Sequence, residues 1–214
     1  MNHAAVLLHG IEADAKDRLW SEEVEAKYQQ ITPISLITRK YGYVGGYRVW
    51  FSAFQRKEAV DHEEAYFRGL QDDLGPNGRI SGAFHSLGAY IFTALLKRGV
   101  KFHRVAHLWG STVSDFDWQA VENNFDAVRI YWSPGDEVLT ASSVAVDEDP
   151  ELALGLMGKE GPQVTHPRVE SIKVEDARWR AYAAEQAKKV DAAPKMKRGP
   201  MSGHSVISHR WVSP

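Results

Sequence analysis

The chain of 214 residues contains no cysteine. Disulfides, a thiolate nucleophile and cysteine-ligated zinc are therefore excluded. There is no excess of either charge: 26 Lys and Arg stand against 28 Asp and Glu, a formal net charge of −2. Nothing in that balance calls for nucleic acid as a partner. No apolar run approaches the roughly 18 residues that a membrane-spanning helix needs. The apolar run at residues 4–8 is too short for a signal-peptide core, and no basic segment precedes it. A cytoplasmic location is expected on that ground. No internal repeat is visible. What remains is ordinary for a globular protein, with 43% apolar and 25% charged residues. The length suits one domain over residues 1–214 and is short for two.

What is present alternates in character. Six short apolar runs read as strands: "AAVLLHG", "PISLITRKY", "RISGAFHS", "RVAHLWGS", "AVRIYWS" and "RVESIKV". Between them lie helical patterns. Residues 17–31 place Leu19, Trp20, Val24 and Tyr28 at helical spacing, with Asp17 as a possible N-cap. Residues 58–75 form an amphipathic pattern that stops at Gly75-Pro76, and "LGAYIFTALLKRG" ends at Gly99. The run "EDARWRAYAAEQAKKV" follows the sixth strand as a further helix. Strands alternating with helices predict parallel βαβ units. The expected fold is α/β, a mostly parallel central sheet with helices on both faces.

Two segments fit that scheme badly. Residues 40–54, "KYGYVGGYRVWFSAF", read as a loop excursion rich in glycine and aromatics. Its Tyr41, Tyr43, Tyr47, Trp50, Phe51 and Phe54 either wall an apolar pocket or pack the loop on itself. Residues 140–167 are long and weakly patterned, which suits a binding loop or lid. The basic tract "AKKVDAAPKMKRGP" reads as a solvated connector, with contact to an anionic surface as the lesser alternative.

The chemistry gathers at strand ends. In "AFHSLGAY", Ser86 follows a strand and precedes a helix. A nucleophile elbow needs that context: a sharp turn lifts the hydroxyl above the sheet edge, and the N–H of Leu87 faces the reacting carbonyl. The same serine would also serve as a plain helix N-cap. Phe84 departs from the usual elbow, which has glycine two residues before the serine. Either it lines an acyl pocket or it marks a fold that no longer catalyses. After the strand "AVRIYWS", Asp136 follows a Pro-Gly turn, at the sheet edge where parallel sheets bind ligands. It is an orienting acid or a turn aspartate. His204 lies in the Gly-flanked loop of "SGHSVISHRW". Its rivals as a base are His209, which looks helical, and His166, which precedes the sixth strand. His9 and His85 read as residues that pack and shape the site.

Taken in order, "VLLHGIEAD", "AFHSLGAY", "PGDEVL" and "SGHSVISHRW" resemble the α/β-hydrolase superfamily from about residue 4 onward. The resemblance is nearest to small bacterial esterase/lipase-like serine hydrolases, in which "HLWGSTVSDFDW" also has a counterpart. It implies a minimal version of that fold, lacking the first two strands of larger members. It implies Ser86 as nucleophile, His204 as base and Asp136 as acid, with Asp117 the less favoured acid. Ile11 and Leu87 would supply the oxyanion N–H groups. The implied substrate is a small-molecule or lipid-like carboxylic ester, with no metal and no organic cofactor. The alternative is a catalytically inactive hydrolase-fold module that binds or assembles. The same machinery would serve an ester, a thioester or an amide.

Overall fold

The computed structural model describes residues 2–10, 25–30, 36–39, 52–136, 139 and 154–174. Six strands form one sheet in the order β2-β1-β3-β4-β5-β6. They are β1 His3–Leu8, β2 Leu36–Arg39, β3 Arg79–His85, β4 Phe102–Leu108, β5 Phe125–Trp132 and β6 Val169–Lys173. Every neighbouring pair is parallel, so the sheet is parallel throughout its described strands rather than mostly so. All carboxyl ends therefore lie on one edge.

Two long helices cover one face. Helix α1 is Ala53–Leu74 and α2 is Leu87–Lys97. The buried residues of α1 are Arg56, Ala59, Val60, Glu63 and Phe67, a stripe at three- and four-residue spacing that one helix face presents. Helix α2 is buried nearly all round, as its largely apolar sequence requires. Both pack on Val6, Leu8, Ile80, Phe84, Val105, Val128 and Ile130 in one core. On the opposite face, Tyr28 from the helical residues 25–30 lines a cleft with Ala5, Leu7, Ser81 and Ala83. Helices thus lie on both faces.

Two boundaries differ from the sequence reading. Helix α1 starts at Ala53, inside the segment read as a loop. Ser52 accounts for this: its hydroxyl accepts the Gln55 N–H at 3.3 Å and caps the helix. Residues 154–167 contain a one-turn helix, α3 Met157–Glu160, held by backbone bonds to the β4 and β5 loops. The buried Glu63 is met by a two-point pair from Arg39, at 2.9 and 3.2 Å, which fastens edge strand β2 to α1. The Arg39 guanidinium also lies 3.7 Å over the Tyr66 ring.

Candidate active site

The sheet order places β1 and β3 side by side at the point where connections change face. The chain after β1 leads to the helical residues 25–30 on one face, and the chain after β3 leads to α2 on the other. A crevice opens at the carboxyl edge between two such strands, and ligands of parallel sheets bind there. Ser86 stands at that point.

Its backbone is at φ 57° and ψ −119°. This is the left-handed side of backbone space, strained for a residue with a Cβ by about 1–3 kcal/mol. An N-cap serine has extended dihedrals and a side chain bonded to the first turn. Ser86 has neither, since its hydroxyl makes no cap hydrogen bond. Ser86 thus stands at the N-cap position of α2, but its hydroxyl does not cap the helix. The residue is 2% exposed. Its carbonyl accepts the Ala89 N–H at 3.0 Å. Leu87 is the first residue of α2, and the first N–H groups of a helix have no partner within it.

The loop after β1 closes against this serine. A Cβ added to Gly10 would stand 2.6 Å from Ser86 Cβ and 3.0 Å from its Oγ, so only glycine brings the backbone this close. His9 is buried, and its Nδ1 lies 2.6 Å from the Gly10 carbonyl. His85 is also buried, with Nδ1 3.3 Å from the same Gly10 position. Gly88 lets the first turn of α2 press on the end of β1, where a Cβ would be 2.6 Å from the Leu8 carbonyl.

Phe84 does not line a pocket at this edge. It is fully buried on the helix face, stacked on Phe92 at 4.9 Å and edge-on to Phe102 at 5.5 Å. Strand alternation puts residue 84 on the same face as residue 82. Room for the ring comes from Gly82: a Cβ there would meet Phe84 Cε2 at 2.6 Å. The glycine that the elbow lacks at position 84 is supplied two residues earlier.

Asp136 lies beyond the carboxyl end of β5 and is fully buried. Its Oδ1 accepts the Leu139 N–H at 3.1 Å. Residues 154–158, which the sequence left unpatterned, tie this loop to the loop after β4. Gly155 donates to the Ser111 carbonyl at 2.8 Å and Gly158 to the Gly110 carbonyl at 2.9 Å. Ser133 donates to the Gly158 carbonyl at 2.9 Å. The spaced glycines of "LGLMG" were the available signal. Asp117 is exposed and accepts the Ala120 N–H at 3.1 Å in a turn. His166 sits at the amino ends of β5 and β6, against Phe125 and Glu122, on the edge away from Ser86. Ser86, Leu87 and Asp136 thus share one sheet edge, with Gly10 against Ser86. Ile11, His204, His209 and the aromatic residues 41–51 lie outside the described residues.

One buried histidine was missed. His107, on β4, is wholly enclosed, and burial lowers its pKa to about 3. An unfolded chain holds that proton up to about pH 6.5. Below that value the unfolded state gains a proton that the folded state refuses. Stability present above about pH 6.5 is therefore lost as pH falls, by about 1 kcal/mol per unit. His3 acts in the same direction, lowered by burial and then by His103 and Arg79. Denaturant titrations between about pH 6.5 and 5, above the carboxylate range, are expected to show this slope. His107→Gln should make it shallower, leaving the part due to His3, and an unchanged slope in that variant would contradict the assignment.

The chain matches no family model and no curated relative. Among solved structures, it is similar to a candidate hydrolase of the alpha/beta superfamily from Xanthomonas campestris pv. campestris. That likeness has 11% identity and a TM-score of 0.45, over 90% of this chain and all of the other. It is similar to TT1662 from Thermus thermophilus at 13% identity and a TM-score of 0.44, over 81% and 80% of the two chains. It is also similar to phospholipase PlaB from Legionella pneumophila at 12% identity and a TM-score of 0.42, over 64% of this chain and 39% of that one. At these identities and TM-scores, no family, reaction or substrate passes from these proteins to this chain.

Proposed function

We propose that this chain is a serine hydrolase that cleaves a carboxylic ester through an acyl-enzyme. The observation that carries the reading is the strained, uncapped backbone of Ser86 at the switch point of a parallel sheet. In this reading His204 takes the proton from Ser86 Oγ, and Oγ attacks the ester carbonyl carbon. The N–H groups of Ile11 and Leu87 hold the negative oxygen. As the tetrahedral species collapses, His204 returns the proton to the departing alcohol. Water then enters, His204 takes its proton, and the same steps release the acid and restore Ser86. Asp136 orients the imidazole and stabilises its charged form. The closeness of Gly10 to Ser86 supports Ile11 as a donor, since Ile11 is the next residue. The inactive-module alternative rested on Phe84. That side chain is accommodated by Gly82 in the core, away from the reacting edge.

The substrate class is a small-molecule or lipid-like ester. Among the described residues no helix is long and apolar enough to cross a membrane. A panel of p-nitrophenyl esters of increasing acyl length tests the reading. Turnover is expected on at least one, rising through about pH 6–7 as His204 loses its proton. A rate flat from about pH 5 to 9 would speak against a histidine base, and no turnover on any ester would speak against the reaction class.

A further inference from the structure

We propose that His107, acting through Thr112, is a positioning residue that holds Ser86 in its strained conformation. The inference rests on Ser86 as the nucleophile. A strained backbone persists only where its surroundings over-determine it. Both backbone groups of Ser86 are held by the end of β4. Its N–H donates to the Leu108 carbonyl at 3.0 Å, and its carbonyl accepts the Ser111 N–H at 3.3 Å. Those two partners flank a turn that is itself strained, with Trp109 at φ 44°. Ser86 can be no more fixed than that turn.

His107 fixes it from beneath. In the sheet it pairs with Phe84 on one side and Ile130 on the other, so its ring lies under α2. A Cβ on Gly110 would be 2.3 Å from His107 Cε1 and 2.5 Å from Nε2, which places the ring directly against the turn. His107 Nε2 is 3.0 Å from Thr112 Oγ1. The Thr112 hydroxyl reaches the Ala89 carbonyl at 3.4 Å and Thr93 Oγ1 at 3.3 Å. Thr93 in turn donates to the Tyr90 carbonyl at 2.9 Å. The imidazole therefore links residues 110–112 to the opening turns of α2, the helix that Ser86 begins. A side chain needed only for volume at this site would be apolar. A buried polar ring is retained at a desolvation cost that its hydrogen bond offsets.

The test uses the full chain and a fluorophosphonate, with the inactivation rate constant separated from the reversible binding constant. Thr112→Val keeps the volume and removes the hydroxyl, and His107→Phe keeps a ring and removes the nitrogen. Each is expected to lower the inactivation rate constant by about 10- to 100-fold, the size of effect seen when a reacting group is displaced by about an ångström. Binding of the probe should stay within about twofold, since neither residue is placed at the ligand. Thr112→Ser and His107→Gln, which restore the polar atom, should recover most of the rate. A loss of stability with an unchanged rate constant, or a change in binding alone, would overturn the proposal. Amide hydrogen exchange at Ser86 and Ser111 supplies a second readout. Faster exchange is expected in Thr112→Val, and unchanged exchange there would also overturn the proposal. If the wild-type protein takes no label, the nucleophile reading fails, and exchange alone decides whether His107 and Thr112 hold the elbow.

Discussion

On the proposed mechanism, Ser86→Ala is expected to reduce ester turnover on the order of 10⁴- to 10⁶-fold, because the step that would form the acyl-enzyme is lost. The more informative variant is Ser86→Ala/His204→Ala. Residues that share one step are not additive, so the second change should lower the residual rate by little. His204→Ala alone should resemble Ser86→Ala. Asp136→Ala should be milder, since Ser86 and His204 would still meet with a less well oriented imidazole. Whatever activity remains would come from the Leu87 and Ile11 donors and from binding. If the losses from Ser86 and His204 simply multiply, the two do not share a step. If His209→Ala does the damage and His204→Ala does not, the base is misplaced within "SGHSVISHRW". Circular dichroism on each variant separates lost chemistry from lost fold.

The second large effect is on stability. Phe84→Ala is expected to destabilise the protein by about 3–5 kcal/mol, the range for removing a buried aromatic. The Phe84 ring contacts Phe67, Phe92 and Phe102, so the space it leaves has rigid walls on several sides and closes poorly. For a chain of this size the melting temperature should fall by roughly 10 °C. Acyl-length preference should not move, because the ring points into the core and not to the reacting edge. A shift in preference without loss of stability would restore the pocket role that the sequence allowed for Phe84.

The contrast between those two residues shows what was legible. Alternating short apolar runs and helical patterns mark βαβ units whatever the tertiary detail, and the six strands among the described residues match the six apolar runs with boundary shifts of a few residues. Ser86 was visible by its context between strand and helix. Its strain was not, since φ and ψ at one residue depend on contacts made from far along the chain. Here those contacts come from Gly10, Leu108 and Ser111. Phe84 was visible as a departure from the elbow pattern. Its resolution was not, because the compensating Gly82 acts through a ring folded back along the strand. The start of α1 was hidden because Phe51 and Phe54 read with the aromatics before them, while Ser52 gives only a short signal as a cap. His107 and Thr112 were missed for a different reason. One histidine among nine carries no sign of burial, and the hydrogen bond to a threonine five residues on forms only when the strand ends in a tight turn.

The most direct test of the account is covalent labelling of the folded 214-residue chain with a fluorophosphonate, followed by peptide mapping. An activated serine reacts, and an ordinary surface or core serine does not. The account predicts a single modified residue, Ser86, with labelling lost in Ser86→Ala and on prior denaturation. Label on Ser111 or Ser202, or no label on protein whose fold is confirmed, would contradict it.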